Sequence, residues 1–215
     1  MAFAAVLLAG APGGAQIVSP EFAVDDAAAR AGSPNQFAPA IASDGTNYLV
    51  VWEDARGPIY AARVSGAGVL LDPSGFPVSS IAVQPITPAV AFGGAGYLVV
   101  WQDGGALGDV QGARVTTDGA VLDAAPIPIG VAAFGQRLPA VAFAAGEYLV
   151  AWEDQRCLAM GLCSAIYAAR VAGDGAVLDP SGIQVTRGPN LRDAPAVSSD
   201  GTRFFVVWQD DRATA

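Results

Sequence analysis

Apolar and polar positions repeat along this chain in blocks of about 50 residues. Four segments align without gaps, and each begins with a proline and ends 13 residues later with a tryptophan. The segments start at Pro39, Pro88, Pro139 and Pro195 and end at Trp52, Trp101, Trp152 and Trp208. Successive units lie 49, 51 and 56 residues apart. Self-similarity at such a period is typical of architectures in which each unit packs on its neighbours.

The pattern inside one unit predicts a series of short strands. Residues 39–42 predict a first strand, and the Asp-Gly that follows, next to a small residue, predicts a tight hairpin turn. Residues 48–52, Tyr-Leu-Val-Val-Trp, are apolar without alternation, so we expect a second strand that is buried on both faces. A third strand is predicted over 59–64, followed by segments around 69–71 and 77–79.

A second fixed motif shows where the unit length changes. The first three units contain Ala-Arg-Val, with Arg63, Arg114 and Arg170, and each arginine lies 25 residues before the next unit's proline. The interval from tryptophan to arginine is instead 11, 13 and 18 residues. The connection between the second and third strands is therefore the variable loop of the repeat.

About four strands in each unit of roughly 50 residues predict an all-β fold, a β-propeller built from four-stranded antiparallel blades. A strand that is apolar on both faces fits the middle of a blade between two neighbouring blades. The strands of a β-sandwich would usually alternate, and a parallel β-helix would use shorter repeats.

The units resemble repeats of secreted or surface β-propeller proteins of bacteria. The resemblance rests on Tyr-Leu-Val-Val-Trp-[Glu/Gln]-Asp-x-Arg, Ala-Arg-Val and Leu-Asp-Pro-Ser-Gly, and it covers about residues 39–212. The Gly-His and Trp-Asp pattern of WD40 repeats, the calcium loops of integrin-type repeats and the Ser-x-Asp-x-Gly-x-x-Trp box of sialidases are all absent from the sequence. The resemblance therefore implies a fold and an exported location, but no particular activity.

The two ends of the chain raise the question of ring closure. The fourth unit stops at Ala215, before its third strand, which favours a fragment of a larger propeller. Residues 17–24 resemble the last strand of a unit, so a compact four-bladed ring closed by an N-terminal strand is the alternative.

Residues 1–15 predict a secretory signal, with a short apolar run over 2–9 and small residues before a cleavage at Gln16. No basic residue precedes the run, in contrast to an ordinary signal. Cys157 and Cys163 are the only cysteines, and in an exported protein they are expected to form a disulfide. We therefore expect a secreted, cell-surface or periplasmic protein, with the repeats in residues 16–215.

The composition narrows the chemistry. The chain has 11 arginines but no lysine and no histidine, which excludes a Ser-His-Asp triad, imidazole metal sites and Schiff-base chemistry. A net charge of -9 disfavours nucleic acid as a partner. No apolar run is long enough to span a membrane, and neither a cofactor nor a metal is expected. The acidic doublets 25–26 and 210–211 lack the further ligands that a calcium loop supplies.

The most conspicuous polar motif follows each tryptophan: Glu53-Asp54 with Arg56, Gln102-Asp103 with Gly105 in place of arginine, Glu153-Asp154 with Arg156, and Gln209-Asp210 with Arg212. A ring of acids would suit a cation or general acid catalysis. Because the motif recurs in every unit, we instead expect a structural role in which aspartate holds the loop and pairs with arginine. The tryptophans are likewise expected in the core between blades rather than in a carbohydrate-stacking surface.

The longest variable loop is the candidate contact site. It carries Leu158, Met160 and Leu162 between the two cysteines, and an apolar tip held by a disulfide suits contact with another protein. A tolerated insertion is an equal alternative.

The sequence therefore favours an exported, non-enzymatic binding or scaffold propeller with a protein or glycan ligand. The alternative is a carboxylate-dependent polysaccharide hydrolase or lyase on a propeller scaffold, for which no catalytic residues can be assigned. A structural segment of a larger surface protein is a third reading.

Overall fold

The structure is a computed structural model that describes residues 35–80, 84–105, 107–157, 164–188 and 190–211. Of residues 1–34 it describes only the backbone of four short strands: β1 (Ala4–Ala5), β2 (Leu8–Gly10), β3 (Gln16–Val18) and β4 (Phe22–Ala23). The predicted export signal falls in that segment and stays a prediction. No helix within the described ranges is long and apolar enough to cross a membrane.

Three four-stranded antiparallel sheets form the body of the fold, one for each of the first three repeat units. Blade 1 consists of β5 (Gln36–Ser43), β6 (Asn47–Asp54), β7 (Ile59–Ser65) and β8 (Phe76–Pro77). Blade 2 consists of β9 (Ile86–Phe92), β10 (Gly96–Gln102), β11 (Val110–Thr116) and β12 (Ile127–Gly130). Blade 3 consists of β13 (Gln136–Ala144), β14 (Glu147–Asp154), β15 (Ala165–Ala172) and β16 (Ile183–Gln184). The prediction of an all-β fold with four-stranded antiparallel blades is confirmed.

Short polar turns join the strands as the sequence predicts. In the first hairpin of blade 1, the carboxylate of Asp44 accepts hydrogen bonds from the backbone N–H groups of Thr46 and Asn47, at 2.7 and 2.6 Å. Gly45 adopts a φ of +89°, which a residue with a side chain rarely takes. Residues 69–71 differ from the prediction, because they form only an isolated bridge between Leu70 and Val64.

The second strand of each complete blade is buried on both faces. Leu49 and Val51 pack against the next blade in a cluster that includes Tyr97, Val99 and Trp101. Alternate residues of the middle strand thus face opposite neighbours. The same arrangement recurs one blade further on, where Leu98 and Val100 meet Tyr148, Val150 and Trp152. This repeated interface explains the continuous apolar run and encloses Trp101 and Trp152, whereas Trp52 is buried in a cluster within blade 1. These three tryptophans are therefore core residues rather than a carbohydrate-stacking surface.

Blade 4 contains two strands in the described part of the chain, β17 (Leu191–Ser199) and β18 (Phe204–Asp211). The alternative of a ring closed by an N-terminal strand is not seen among the described strands, since β3 pairs with β2 and β4 pairs with β1. As a result, Trp208 keeps 37% of its surface exposed, whereas Trp52, Trp101 and Trp152 keep no more than 1%.

Candidate active site at the channel

The innermost strands of the four blades line a pocket of about 310 Å³. Each blade contributes the proline of its repeat and the residue before it: Ala38-Pro39, Thr87-Pro88, Leu138-Pro139 and Ala194-Pro195. In every blade the pairing between the first and second strands shifts register at this point. Such bulges change the direction of the side chains beside them and are frequent next to active sites.

The residue before each of these prolines has an unusual backbone. Ala38, Thr87, Leu138 and Ala194 have φ values between +46° and +51°. Positive φ is uncommon for any residue other than glycine, and especially for β-branched threonine. Strained positions of this kind persist only where the surrounding structure enforces them, often at functional sites.

The variable loops lie at the same end of the blades as the pocket. In blade 1 the start of the inner strand pairs with the end of the second strand, Gln36 opposite Asp54 and Phe37 opposite Glu53. The variable loop begins at this point, and its Ala55 N–H donates a 3.0 Å hydrogen bond to the carbonyl of Asn35. The part of the repeat that varies most in length therefore begins at the end of the blade where the pocket lies.

One pair of positions beside the pocket breaks the repeat. Two residues before each proline, the inner strand pairs with the residue after each tryptophan. The pairs are Phe37 with Glu53, Ile86 with Gln102, Arg137 with Glu153, and Asp193 with Gln209. The inner-strand residue is apolar in blades 1 and 2 but charged in blades 3 and 4. The fold thus brings Arg137 and Glu153 of blade 3 and Asp193 of blade 4 together beside the pocket.

Glu153 is the most deeply buried acid of this group, with 8% of its surface exposed. Burial raises the pKa of Glu153, and the negative charges of Asp193 and Asp154 add to that effect. The amide of Gln155, which donates a 2.9 Å hydrogen bond to Oε1, and the charge of Arg137 oppose the rise only in part. A carboxyl group whose pKa is raised by burial keeps its proton to a higher pH than an ordinary carboxyl group does, as a proton donor requires.

The same region contains polar atoms with unused hydrogen-bonding capacity. Among the described residues, Oδ1 of Asp193 and Oγ1 of Thr87 are buried without a hydrogen-bond partner. Buried polar atoms are usually satisfied, so each exception calls for an explanation such as a catalytic role or a bound molecule. Glu53 has a different role, since it accepts a 2.6 Å hydrogen bond from the backbone of Thr87 and links blade 1 to blade 2.

In blades 1 and 3 the motif after the tryptophan has the structural role that the sequence predicts, while Arg212 of the fourth unit lies outside the described residues. In blade 3, Asp154 accepts hydrogen bonds from Nε1 of Trp152 at 2.9 Å and from Arg156 at 2.8 and 2.7 Å. Arg156 also lies 4.0 Å from the centre of the Tyr167 ring. Blade 1 repeats this arrangement with Asp54 and its neighbours. These aspartates hold a loop.

Blade 2 departs from this arrangement because it lacks the arginine. Asp103 interacts there with Trp101 and Gln111, and its charge adds to the rise in the pKa of a second acid, Asp109. Burial raises the pKa of both carboxyl groups. No group of three metal-binding side chains is found anywhere in the described ranges.

The repeated arginines of the third strands pair within their own blades, with an aspartate nine residues further on. Arg63 binds Asp72 at 2.8 and 2.9 Å, and the other two pairs are Arg114 with Asp123 and Arg170 with Asp179. The sequence indicated an acidic partner but not which one.

The candidate contact loop cannot be placed. Leu158, Met160, Leu162 and Cys163 lie outside the described residues, whereas Cys157 lies inside them. The disulfide between Cys157 and Cys163 therefore stays a prediction.

Comparison with known proteins supports the fold. No protein-family model matches the sequence, and no curated protein matches it. The chain is similar in structure to a thermostable family-43 glycoside hydrolase, with a TM-score of 0.52 and 13% identity over 91% of this chain and 72% of the other. It is also similar to an endo-arabinase from Bacteroides thetaiotaomicron, with a TM-score of 0.54 and 14% identity over 81% of this chain and 70% of the other. An α-L-arabinofuranosidase from Podospora anserina gives a TM-score of 0.52 and 12% identity, over 86% of this chain and 65% of the other.

These similarities show that the chain has the β-propeller fold. They also correct the leading expectation from sequence. The expectation of a non-enzymatic binding or scaffold propeller is wrong, because the solved structures to which this fold is similar are glycoside hydrolases. That expectation rested on the repeated motifs and gave no weight to Arg137 and Asp193, which differ between blades.

Proposed function

We propose that this chain forms the core of a carboxylate-dependent polysaccharide hydrolase that acts at the channel pocket. The observation that carries the proposal is the group of Arg137, Glu153 and Asp193, placed beside that pocket by two neighbouring blades. The similarity of the fold to glycoside hydrolases supports it.

Glu153 is the proton donor in this proposal. Hydrolysis of a glycosidic bond requires an acid that protonates the departing oxygen and a carboxylate that assists the attacking water or stabilises positive charge on the sugar. The raised pKa of Glu153 keeps its proton available, while Asp193 has a buried oxygen without a hydrogen-bond partner among the described residues. Arg137 balances the charge of the two acids.

The substrate is a neutral polysaccharide outside the cell. A chain with a net charge of -9 would repel a polyanion, and the variable loops around the pocket are suited to contact sugar units on either side of the bond that is cleaved. The predicted export signal, the disulfide between Cys157 and Cys163 and the resemblance to bacterial surface repeats support a secreted, cell-surface or periplasmic enzyme.

The test is an assay of reducing-end release from a panel of neutral polysaccharides. We expect Glu153→Gln and Asp193→Asn each to lower the rate on the accepted glycan by at least roughly 100-fold, as for loss of an acid or base. Glu147→Gln is the matched control, because this acid lies at the opposite end of β14, partly exposed near Arg170. Melting temperatures would show that all three variants fold.

The pH dependence gives a second readout. Only protonated Glu153 can donate a proton to the departing oxygen. Hydrolytic activity should therefore fall as the pH rises through the raised pKa of Glu153. If no glycan is cleaved by the folded protein, or if Glu153→Gln is as active as Glu147→Gln, the proposal is wrong.

A further inference from the structure

Phe37 exposes its aromatic ring beside the channel pocket. It directly precedes the pocket-lining pair Ala38-Pro39, and 49% of its surface is exposed. The residues at the same position of the other three blades are Ile86, Arg137 and Asp193. Blade 1 is therefore the one blade that presents an aromatic ring at this position, and an exposed ring beside a pocket is available to a ligand.

The ring lies on the side of blade 1 that faces blade 2. Phe37 pairs directly with Glu53 across β5 and β6, and the side chains of directly opposite residues project from the same face of a sheet. Glu53 reaches blade 2, where its Oε1 accepts the 2.6 Å hydrogen bond from the backbone N–H of Thr87. Phe37 thus stays half exposed on a face that already has its neighbouring blade.

Ile41 of the same strand shows the contrasting situation. It is 59% exposed, but it lies opposite Val50 and therefore on the other face of the sheet. Val50 packs in a cluster with Trp52 whose members all belong to blade 1. Ile41 therefore projects away from blade 2, and it does not line the channel pocket.

The pocket has an apolar side and a charged side. The inner strands follow one another around it in the order β5, β9, β13 and β17. Phe37 and Ile86 belong to the first two of these strands, whereas the charged group of Arg137, Glu153 and Asp193 belongs to blades 3 and 4. A sugar ring has a matching asymmetry, because its C–H groups form an apolar face while its hydroxyl groups and glycosidic oxygen lie around its edge.

Two features of the pocket favour a sugar over an apolar ligand. Oγ1 of Thr87, a residue that lines the pocket, is buried without a hydrogen-bond partner among the described residues, and a sugar hydroxyl can supply one. The pocket volume of about 310 Å³ lies at the lower end of the range of ligand sites, roughly 300 to 1,000 Å³, which suits a single sugar unit.

We propose that Phe37 is a substrate-positioning residue, on which one sugar unit stacks with its edge directed toward Glu153 and Asp193. The ring of Phe37 holds the sugar through contact with its C–H groups and takes no part in proton transfer. This inference rests on the proposed function for the class of ligand, and it adds the residue that orients the sugar unit before cleavage.

The test measures binding of neutral hexasaccharides of glucose, mannose, galactose, xylose or arabinose units by calorimetry. The full chain carries Glu153→Gln, so that a bound hexasaccharide is not cleaved. In this parent, Phe37→Ala should weaken the affinity about tenfold and Phe37→Leu at least about threefold, whereas Phe37→Tyr should change it less than about twofold, because only tyrosine keeps a flat aromatic ring.

Ile41→Ala is the matched control, since it removes a comparably exposed apolar side chain from the other face of the same strand. Its affinity for the hexasaccharide should equal that of the parent. The melting temperatures of all these variants should stay close to that of the parent, because neither side chain is enclosed in the core.

Nuclear magnetic resonance of the bound hexasaccharide gives a readout that a merely structural role would not change. Protons that lie over an aromatic ring shift to lower frequency. The C–H signals of one sugar unit should therefore shift on binding to the parent and to the Phe37→Tyr variant, but not on binding to the Phe37→Leu variant.

Three outcomes would overturn the proposal: no binding of any hexasaccharide, a Phe37→Leu variant that binds as tightly as the parent, or an Ile41→Ala variant that loses as much affinity as Phe37→Ala. The proposed hydrolase fails separately. Glycan cleavage that Phe37→Leu leaves unchanged would refute only the role of Phe37, whereas binding that depends on Phe37 without cleavage by the unsubstituted chain would refute only the hydrolase.

Discussion

Substitution of the aspartate that follows the tryptophan should be costly in blade 1 and nearly neutral in blade 2. Asp54 is fully buried, and Arg56 binds it through two nitrogens at 2.5 and 2.6 Å. Burial alone would raise the pKa of Asp54, but the hydrogen bonds from Arg56 and Trp52 outweigh burial and lower it. Burial of Asp103, which has no arginine after it in sequence, instead raises its pKa. The charged form is therefore stabilised by folding in blade 1 and opposed in blade 2.

The expected changes in the free energy of unfolding follow from the surroundings of the two aspartates. Asp54→Asn removes the charge that pairs with Arg56, and breaking a buried ion pair costs about 3 to 5 kcal/mol. Because the Arg56 side chain is 34% exposed and can regain water, we expect about 2 to 3 kcal/mol. Asp103→Asn replaces a carboxyl group whose neutral form the protein favours, so its effect should lie within about 0.5 kcal/mol of zero, or be stabilising.

Urea unfolding and thermal melting at pH 7 would measure the difference. For a domain of this size, Asp54→Asn should lower the melting temperature by roughly 4 to 10 °C, and Asp103→Asn should leave it nearly unchanged. Asp179→Asn is a control for an exposed pair, because the Arg170 side chain is 44% exposed, and it should cost no more than about 1 kcal/mol. Equal losses for Asp54→Asn and Asp103→Asn would refute the reasoning.

Two further predictions concern the core and the pH response. In urea unfolding, Trp152→Leu should destabilise the protein by about 3 kcal/mol and Trp208→Leu by about 1 kcal/mol, because of these two side chains only Trp152 is fully enclosed. Similar losses for the two variants would mean that blade 4 is closed in solution. Hydrogen bonds from Arg63 and Arg114 lower the pKa values of Asp72 and Asp123. The two ion pairs therefore stabilise the fold fully above the unfolded-state pKa of aspartate, and this stabilisation is lost as the pH falls through the folded-state pKa values. Melting curves between pH 6 and 2 should show this loss, and Asp72→Asn should make the decline shallower; an unchanged slope would contradict it.

The repeat in the sequence determined most of the architecture. Proline, tryptophan and arginine at fixed spacing predicted the strands, the variable loop and the burial of the second strand on both faces. These features are local or recur in every unit, so a single sequence shows the same pattern several times. The pairing of Asp54 with Arg56 could also be predicted, because they lie only two positions apart in the sequence.

The site depended on differences between units rather than on their similarity. Arg137 and Asp193 stand where Phe37 and Ile86 stand in the first two blades, and that departure was visible in the sequence. The significance of that departure could not be predicted, because the sequence does not show that these positions lie beside a common pocket. Nor does it show that Glu153 is buried enough for its pKa to rise.

Sequence by itself therefore fixed the strands, the blades and the residues that hold each loop, because short-range pairing and alternation decide these features. Only the tertiary structure decided which carboxyl groups are desolvated together. Their burial depends on how blades that are distant in sequence pack beside the pocket, and no pattern within a single unit contains that information.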